Sequence, residues 1–120
     1  MNNRKSGTIY EQKAVKWLSA NDIKVITTNF RCRFGEIDIV AVDGEYLVFV
    51  EVKYRRDTMS GHPAEAVTLR KQKTISKVAD YYRITQQIDD DHPVRFDVVA
   101  ICGDVITWYR DAFSYIRSGY

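Results

Sequence analysis

Two strand-like segments separated by Asp43-Gly44 constrain the fold of this chain more than any other feature of its 120 residues. Residues 36–42 and 45–53 are rich in β-branched and aromatic side chains, and a two-residue Asp-Gly connection is typical of a tight β-hairpin. If these two residues form the loop, Val42 pairs with Glu45 and the register of both strands follows. Most residues on both faces of the hairpin are apolar, so other elements must cover the sheet on both sides.

The rest of the chain supplies the covering elements. Apolar residues recur at helical spacing over residues 7–20, and Asn21 suits a C-terminal cap. A second helix is predicted from a cap at Thr68 to about residue 86, with an inner face of Ile75, Val78, Ala79 and Tyr82. The remaining predicted elements are a loop over 55–63 and strands over 23–30, 95–101 and 105–109. The resulting order, α-β-β-β-α-β-β, predicts an α/β fold with a mixed central β-sheet flanked by helices.

The length and composition favour a single domain over residues 1–120. With 45% hydrophobic and 28% charged residues, the chain can bury one core, which excludes extensive disorder and fibrous repeats. The longest apolar run, residues 46–50, is far shorter than a membrane helix, and no signal peptide is recognisable. Cys32 and Cys102 lack metal-ligand spacing, so we expect two reduced thiols, a cytoplasmic location and no membrane partner.

The formal net charge of +2 conceals an uneven distribution of charge along the chain. Residues 1–35 and 53–77 each carry a net charge of +5, whereas residues 36–52 carry five acidic side chains and no basic one. This acidic segment coincides with the predicted hairpin, and carboxylates inside an apolar strand are not solvated by default. The hairpin is therefore the first candidate for a functional site.

The predicted register gathers charged side chains at the end of the hairpin away from its turn. Asp38 lies opposite Phe49, and cross-strand partners share a face of the sheet. Glu36 lies opposite Glu51 in the same way. Four charged residues therefore project from one face: Glu36, Asp38, Glu51 and Lys53. The other face carries the alternate apolar residues, including Ile37 and Ile39.

Carboxylates held this close need a cation or raised pKa values. Mg²⁺ favours one or two carboxylates together with water and phosphate oxygens, so a divalent-metal site accounts for the cluster. Lys53 would then orient a water molecule or stabilise a developing phosphate charge. The alternative is a salt-bridged strand end in which Lys53 and Arg55 neutralise the acidic residues, and spacing alone does not decide between the two.

Asp38, followed after twelve residues by Glu51-Val52-Lys53, resembles the core motif of the PD-(D/E)-x-K nuclease superfamily. The wider sequence is similar to the YraN family of small bacterial proteins, which is assigned to that superfamily, and more distantly to archaeal Holliday-junction resolvases. Ile37 stands where the superfamily motif has a structural proline. The matching segments follow family order along nearly the whole chain: Gly7-x-x-x-Glu11-x-x-Ala14, Asn29-Phe30-Arg31, Gly35-Glu36-Ile37-Asp38, Phe49-Val50-Glu51-Val52-Lys53, Arg55, Pro63-Ala64-Glu65-Ala66-Val67, Lys71, Ala79-x-x-Tyr82 and Arg95-Phe96-Asp97.

The resemblance implies a restriction-endonuclease-like core and a Mg²⁺- or Mn²⁺-dependent nuclease. Asp38 and Glu51 would be metal ligands, with the Val52 carbonyl as a third. Lys53 would be the catalytic lysine, and Glu11 would join the catalytic site from the first helix. The superfamily often adds a glutamine or lysine from the helix after the hairpin, a position that Gln72 or Lys71 can fill. Glu36 either supports the metal from outside its ligand shell or pairs with an arginine.

Basic residues before and after the acidic hairpin predict a phosphate-binding rim, because phosphate contacts position a nucleic acid without reading its sequence. The residues of this rim are Arg31, Arg33, Arg55, Arg56, Arg70, Lys71 and Lys73. No recognition helix or zinc finger is visible, which favours DNA recognised by shape, including branched or otherwise structured DNA. Tyr54 and other aromatic residues are candidates for stacking on bases. The likeness to resolvases also implies a homodimer, since their substrate is two-fold symmetric.

Two other functions fit the same residues. A nucleic-acid-binding module could keep the nuclease fold without turnover, and its sequence would look identical. A protein-interaction domain could use the carboxylates in structural salt bridges, and it would show neither metal-dependent stabilisation nor affinity for nucleic acid.

Overall fold

Seven elements follow one another in the predicted order in a computed structural model that describes residues 3–55 and 67–117, with side chains from residue 9 onward. They are α1 (Asn3–Ala20), β1 (Lys24–Cys32), β2 (Gly35–Asp43), β3 (Tyr46–Tyr54), α2 (Leu69–Thr85), β4 (Val94–Cys102) and β5 (Val105–Phe113). The strands form one sheet in the order β1-β2-β3-β4-β5, and every neighbouring pair is antiparallel except β3 and β4, which run parallel. The predicted α/β class and mixed sheet are confirmed, and the architecture is compatible with a restriction-endonuclease-like core.

The two helices cover opposite faces of the sheet, as an apolar sheet requires. Ala14 and Leu18 of α1 are fully buried in a cluster of sheet residues that includes Ile39, Val50 and Val99. On the other face, α2 buries its whole predicted inner side against Val40, Phe49 and neighbouring sheet residues: Ile75, Val78, Ala79 and Tyr82.

Both helix ends anticipated from the sequence are present. The hydroxyl of Thr68 accepts a hydrogen bond from the N–H of Lys71 at 3.1 Å, which is the N-cap of α2. At the end of α1, the side-chain amide of Asn21 donates to the carbonyl of Trp17 at 2.8 Å. A side-chain hydrogen bond thus fixes the C-terminal end of the helix that carries Glu11 and the N-terminal end of the helix that carries Lys71.

The register of the β2–β3 hairpin differs from the predicted one. Asp43 pairs with Tyr46, so Gly44 and Glu45 form the loop instead of Asp43-Gly44. Gly44 has φ +60° at the first loop position, as in hairpin turns that need positive φ only there. Asp43 stays in the strand, where its carboxylate accepts a hydrogen bond from Arg95 at 2.8 Å. The expected pairings of Asp38 with Phe49 and of Glu36 with Glu51 were therefore wrong by two residues along β3. Phe49 pairs with Val40 instead.

The β2–β3 ladder ends at the pair Ile39–Val50, although both strands continue beyond it. In this register, Val52 is the next residue of β3 whose N–H faces β2. Its N–H donates to the carboxylate of Asp38 at 2.8 Å instead of to a backbone carbonyl. Ile37 consequently packs in the α2 cluster, not beside Ile39 in the α1 cluster, so its predicted face was wrong. The strands part at this end, which is where the acidic residues converge.

The predictions about membrane helices, cysteines and the loop after β3 can be compared with the structure in turn. Neither described helix combines the length and the apolar character that crossing a membrane requires. Cys32 and Cys102 are both free of a disulfide. Most of the predicted loop over residues 55–63, including Arg56, lies outside the described residues.

Candidate functional site

Asp38 and Glu51 form a hydrogen-bonded carboxyl pair where β2 and β3 part. Continuing the observed register places the two residues directly opposite each other, since each lies one position beyond the last ladder pair. Glu51 is only 7% exposed. The Asp38 carboxylate also accepts the N–H of Val52, so two hydrogen bonds hold it in the gap between the strands. The sequence placed these carboxylates on one face, and the structure brings them into contact.

Burial is the main influence on the ionisation of the pair. It raises the pKa of Asp38, while the hydrogen bonds from Val52 and Glu51 lower it. Burial raises the pKa of Glu51 to about 8, and the negative charge of Asp38 adds to the increase. The raised pKa of Glu51 favours its protonated form in the folded protein, and this form donates a hydrogen bond to the Asp38 carboxylate.

Glu11 reaches this region from α1. Burial raises the pKa of Glu11, and the negative charge of Asp38 raises it further, so the two carboxylates lie within electrostatic range of each other. A side-chain hydrogen bond from Asn29 opposes these effects by favouring the charged form of Glu11. The structure thus brings Glu11 to the Asp38 side of the carboxyl pair.

Asn29 is a site residue to which sequence reasoning gave no role. Its φ of +54° lies in the left-handed region, which asparagine adopts more readily than most residues. The flanking residues Thr28 and Phe30 pair with Ile39 and Ile37, so this unusual backbone lies beside Asp38 in the sheet. The only sequence signal was the segment Asn29-Phe30-Arg31, because an isolated residue with positive φ inside a strand leaves no periodic pattern.

Glu36 pairs with an arginine, one of the two roles left open by its sequence position. Its Oε1 lies 3.4 Å from Nε of Arg31, the residue opposite it in the β1–β2 ladder. The charge of Glu36 nevertheless raises the pKa of both Asp38 and Glu11. Glu36 therefore lies at the margin of the acidic cluster and increases its negative potential.

Lys71 and Lys53 supply positive charge to the carboxyl pair. The charge of Lys71 lowers the pKa of both Asp38 and Glu51. Lys53 has a smaller effect, which falls on Glu51. Lys71 is therefore an electrostatic partner of the pair, not only a lysine on the helix surface. Gln72, the other residue considered on α2, donates its side-chain amide to the carbonyl of Val67 at 2.9 Å.

The predicted basic rim divides into two described groups. Arg31 and Arg33 lie on the β1–β2 hairpin, and the guanidinium of Arg33 lies 4.9 Å from the ring centre of Phe34. Arg70 and Lys73 on α2 line a shallow groove with Lys77. Arg55 is tied to the sheet through its backbone N–H, which donates to Ile101, and its buried Nε has no hydrogen-bond partner within the described residues.

The donor set limits which metal ion the site could hold. Among the described residues, no three His, Cys, Asp or Glu side chains come together as a metal-binding group. Two carboxylates remain, Asp38 and Glu51, and the N–H and C=O of a strand residue point to the same edge, so the Val52 carbonyl also faces the gap. Two carboxylates and a carbonyl suit Mg²⁺, which keeps several waters and is often completed by phosphate oxygens.

Comparison with known proteins identifies the family. The model of the uncharacterised protein family UPF0102 matches residues 10–101. A UPF0102 protein of Lachnoclostridium phytofermentans is 42% identical over 113 residues, which is 94% of this chain and 96% of the relative. UPF0102 proteins of Syntrophus aciditrophicus (44% over 115 residues, 92% and 90%) and Legionella pneumophila (38% over 112 residues, 92% and 95%) are similar to comparable extents. The chain therefore belongs to the UPF0102 family, also known as the YraN family.

Proposed function

We propose that this protein is a metal-dependent nuclease of the PD-(D/E)-x-K type that hydrolyses phosphodiester bonds in DNA. The observation that carries the proposal is the buried, hydrogen-bonded Asp38–Glu51 pair in the gap between β2 and β3. Burying two carboxyl groups together opposes folding, and a divalent cation between them would neutralise more of this charge than the single proton that Glu51 shares with Asp38.

Asp38, Glu51 and the Val52 carbonyl would hold Mg²⁺ or Mn²⁺. When bound, the ion would polarise the scissile phosphate and lower the pKa of an attacking water. Lys53 would stabilise the negative charge that develops on the phosphate, and Lys71 would add to the positive potential. Glu11, held by Asn29, would accept a hydrogen bond from the attacking water and orient it.

The surrounding charge favours nucleic acid as the substrate. Exposed Arg31 and Arg33 lie on one side of the site, and Arg70 and Lys73 lie on α2. Basic side chains of this kind contact phosphates without reading bases, so we propose that DNA is selected by its shape. Branched or otherwise structured DNA is the substrate class that follows from this mode of recognition.

The test is cleavage of a panel of labelled junction, flap and linear DNA substrates in Mg²⁺. Wild-type protein should cleave at least one substrate, and EDTA should stop the reaction. Asp38→Asn and Lys53→Ala should each reduce the cleavage rate at least about a hundredfold while binding persists, because they remove a metal ligand and a charge-stabilising group.

Matched controls come from the opposite end of the sheet. Lys24→Ala and Asp91→Asn change the same residue types at exposed positions, beside Val42 in the ladder and just before the start of β4, and both should leave the cleavage rate unchanged. Undiminished cleavage by both site variants would contradict the mechanism. If the wild-type protein and the variants bound DNA but none of them cleaved it, the result would instead favour a binding module with a nuclease fold.

A further inference from the structure

Two tyrosines are stacked next to the candidate site. The rings of Tyr10 and Tyr54 have centres 4.3 Å apart and planes 21° apart, and their side chains are hydrogen-bonded. The ammonium group of Lys13 lies 5.7 Å from the ring centre of Tyr10. Tyr54 is 47% exposed despite the stack, so much of its ring remains open to solvent.

The chain fixes this stack close to the residues of the proposed reaction. Tyr10 directly precedes Glu11 on α1, and Tyr54 directly follows Lys53 at the end of β3. The stack therefore joins the helix that carries Glu11 to the strand that carries Glu51 and Lys53. A ligand group lying on Tyr54 would be held at the end of β3 that carries the proposed catalytic lysine, whose side chain projects from the other face of the sheet.

We propose that Tyr54, supported by Tyr10, is a stacking platform for an unpaired nucleobase of the DNA substrate. The inference rests on the proposed function and makes it more specific, since only DNA with a flap, a fork or another unpaired segment offers such a base. Aromatic side chains stack on any base, so the platform selects for unpaired structure and not for sequence. Lys13 beside the platform places a positive charge where the adjoining backbone phosphate would pass.

The packing of other aromatic residues shows what distinguishes this pair. Trp17 and Trp108 also meet on the α1 face, edge to face with centres 5.8 Å apart, but both are half-buried and serve the core. Tyr46, at the other end of β3, is 43% exposed, close to the value for Tyr54, but it lies beside Arg95 and far from the carboxyl pair. Tyr46 is therefore a matched control on the same strand and the same face.

The test measures binding in EDTA, so that no cleavage occurs, with two DNA probes. One is a duplex with a single-stranded flap that carries 2-aminopurine, and the other is the blunt duplex of the same sequence. Tyr54→Ala and Tyr54→Leu should weaken flap binding about tenfold and leave blunt-duplex binding unchanged. Tyr54→Phe and Tyr46→Ala should bind both probes like the wild type.

The fluorescence of 2-aminopurine reports the stack itself. Wild type and Tyr54→Phe should quench it on binding, whereas Tyr54→Leu, which keeps the apolar volume, should not. The inference would be overturned if Tyr54→Leu lost flap and blunt-duplex binding equally, or if its flap affinity were unchanged. It would also be overturned if the wild-type protein had no affinity for the flap. Failure of the proposed nuclease looks different: Tyr54-dependent flap binding would persist while no metal-dependent cleavage occurred.

Discussion

Glu51 is a buried carboxyl group whose pKa lies far above that of an ordinary glutamate. Burial and the neighbouring Asp38 carboxylate raise its pKa to about 8, so the folded protein binds a proton that the unfolded chain releases near pH 4.5. Folding stability must therefore decrease as the pH rises between these values, because ionising Glu51 in the folded state is unfavourable. Below this range Glu51 is protonated in both states, so the cost of ionising it disappears.

Replacing Glu51 by glutamine tests this residue-level account. Glu51→Gln keeps the shape of the side chain and removes its charge, so the free energy of unfolding should lose most of its pH dependence between pH 5 and pH 8.5. At pH 8.5 in EDTA the variant should be more stable than the wild type by on the order of 3 kcal/mol. Urea denaturation at both pH values measures the difference. Parallel pH profiles for the two proteins would show that Glu51 ionises normally.

Among the elements, α2 depends on a close contact with the start of β2. A Cβ added at Gly35 would lie 2.7 Å from Cγ2 of Thr74 and 3.5 Å from Cγ2 of Val78, and φ at Gly35 is +151°. Only glycine lets the helix approach this closely. The contact matters for function because the same helix carries Lys71 toward the carboxyl pair.

Gly35→Ala should therefore destabilise the protein by about 2 kcal/mol through overpacking and backbone strain. Thr74→Ser removes the clashing methyl group, so the double variant should recover part of this loss in a double-mutant cycle. Gly103→Ala is the control: φ there is +60° but the space is open, so it should be destabilising without rescue by Thr74→Ser. Strictly additive effects of Gly35→Ala and Thr74→Ser would contradict the contact.

Much of this arrangement of elements could be predicted from the sequence. Helical periodicity located the buried side of α2, and Thr68 and Asn21 marked helix ends, because these signals are local. The Gly103-Asp104 turn was placed correctly, since Cys102 pairs with Val105. The acidic hairpin was recognised because carboxylates are unusual in an apolar strand.

The details that shape the site were not predictable, because they depend on contacts between distant parts of the chain. Arg95 holds Asp43 in the strand and so shifts the turn to Gly44-Glu45. The Asp38 side chain replaces a backbone acceptor for Val52 and ends the ladder. The positive φ of Asn29 and the displaced side chain of Ile37 accompany this interruption, and no local pattern encodes either one.

Across the whole molecule, a second buried network stabilises the sheet away from the carboxyl pair. Fully buried Asp97 accepts hydrogen bonds from Arg95, from the indole of Trp108 and from the backbone N–H of Asp111. Arg95 also binds Asp43, so one network joins β2, β4 and β5. Hydrogen bonds to Asp97 and Asp43 outweigh the effect of burial and keep the pKa of Arg95 above its usual value.

Asp97→Asn should destabilise the whole sheet by about 3 kcal/mol, because it leaves Arg95 with one carboxylate fewer in a buried setting. Asp90→Asn is a matched control: Asp90 pairs with Arg83 at 3.0 Å but is fully exposed, so its loss should cost less than about 0.5 kcal/mol. Urea denaturation followed by Trp fluorescence compares the two. Equal effects of the two substitutions would contradict the role assigned to Asp97.

The central claim is that Asp38 and Glu51 hold a divalent metal ion, and a crystal soaked with Mn²⁺ at pH 8 tests it most directly. We predict an anomalous density peak between the two carboxylates, with the proton of Glu51 displaced, and no peak in crystals of Asp38→Asn. A crystal that shows the wild-type carboxyl pair still hydrogen-bonded, with no peak between Asp38 and Glu51 at millimolar Mn²⁺, would contradict the claim.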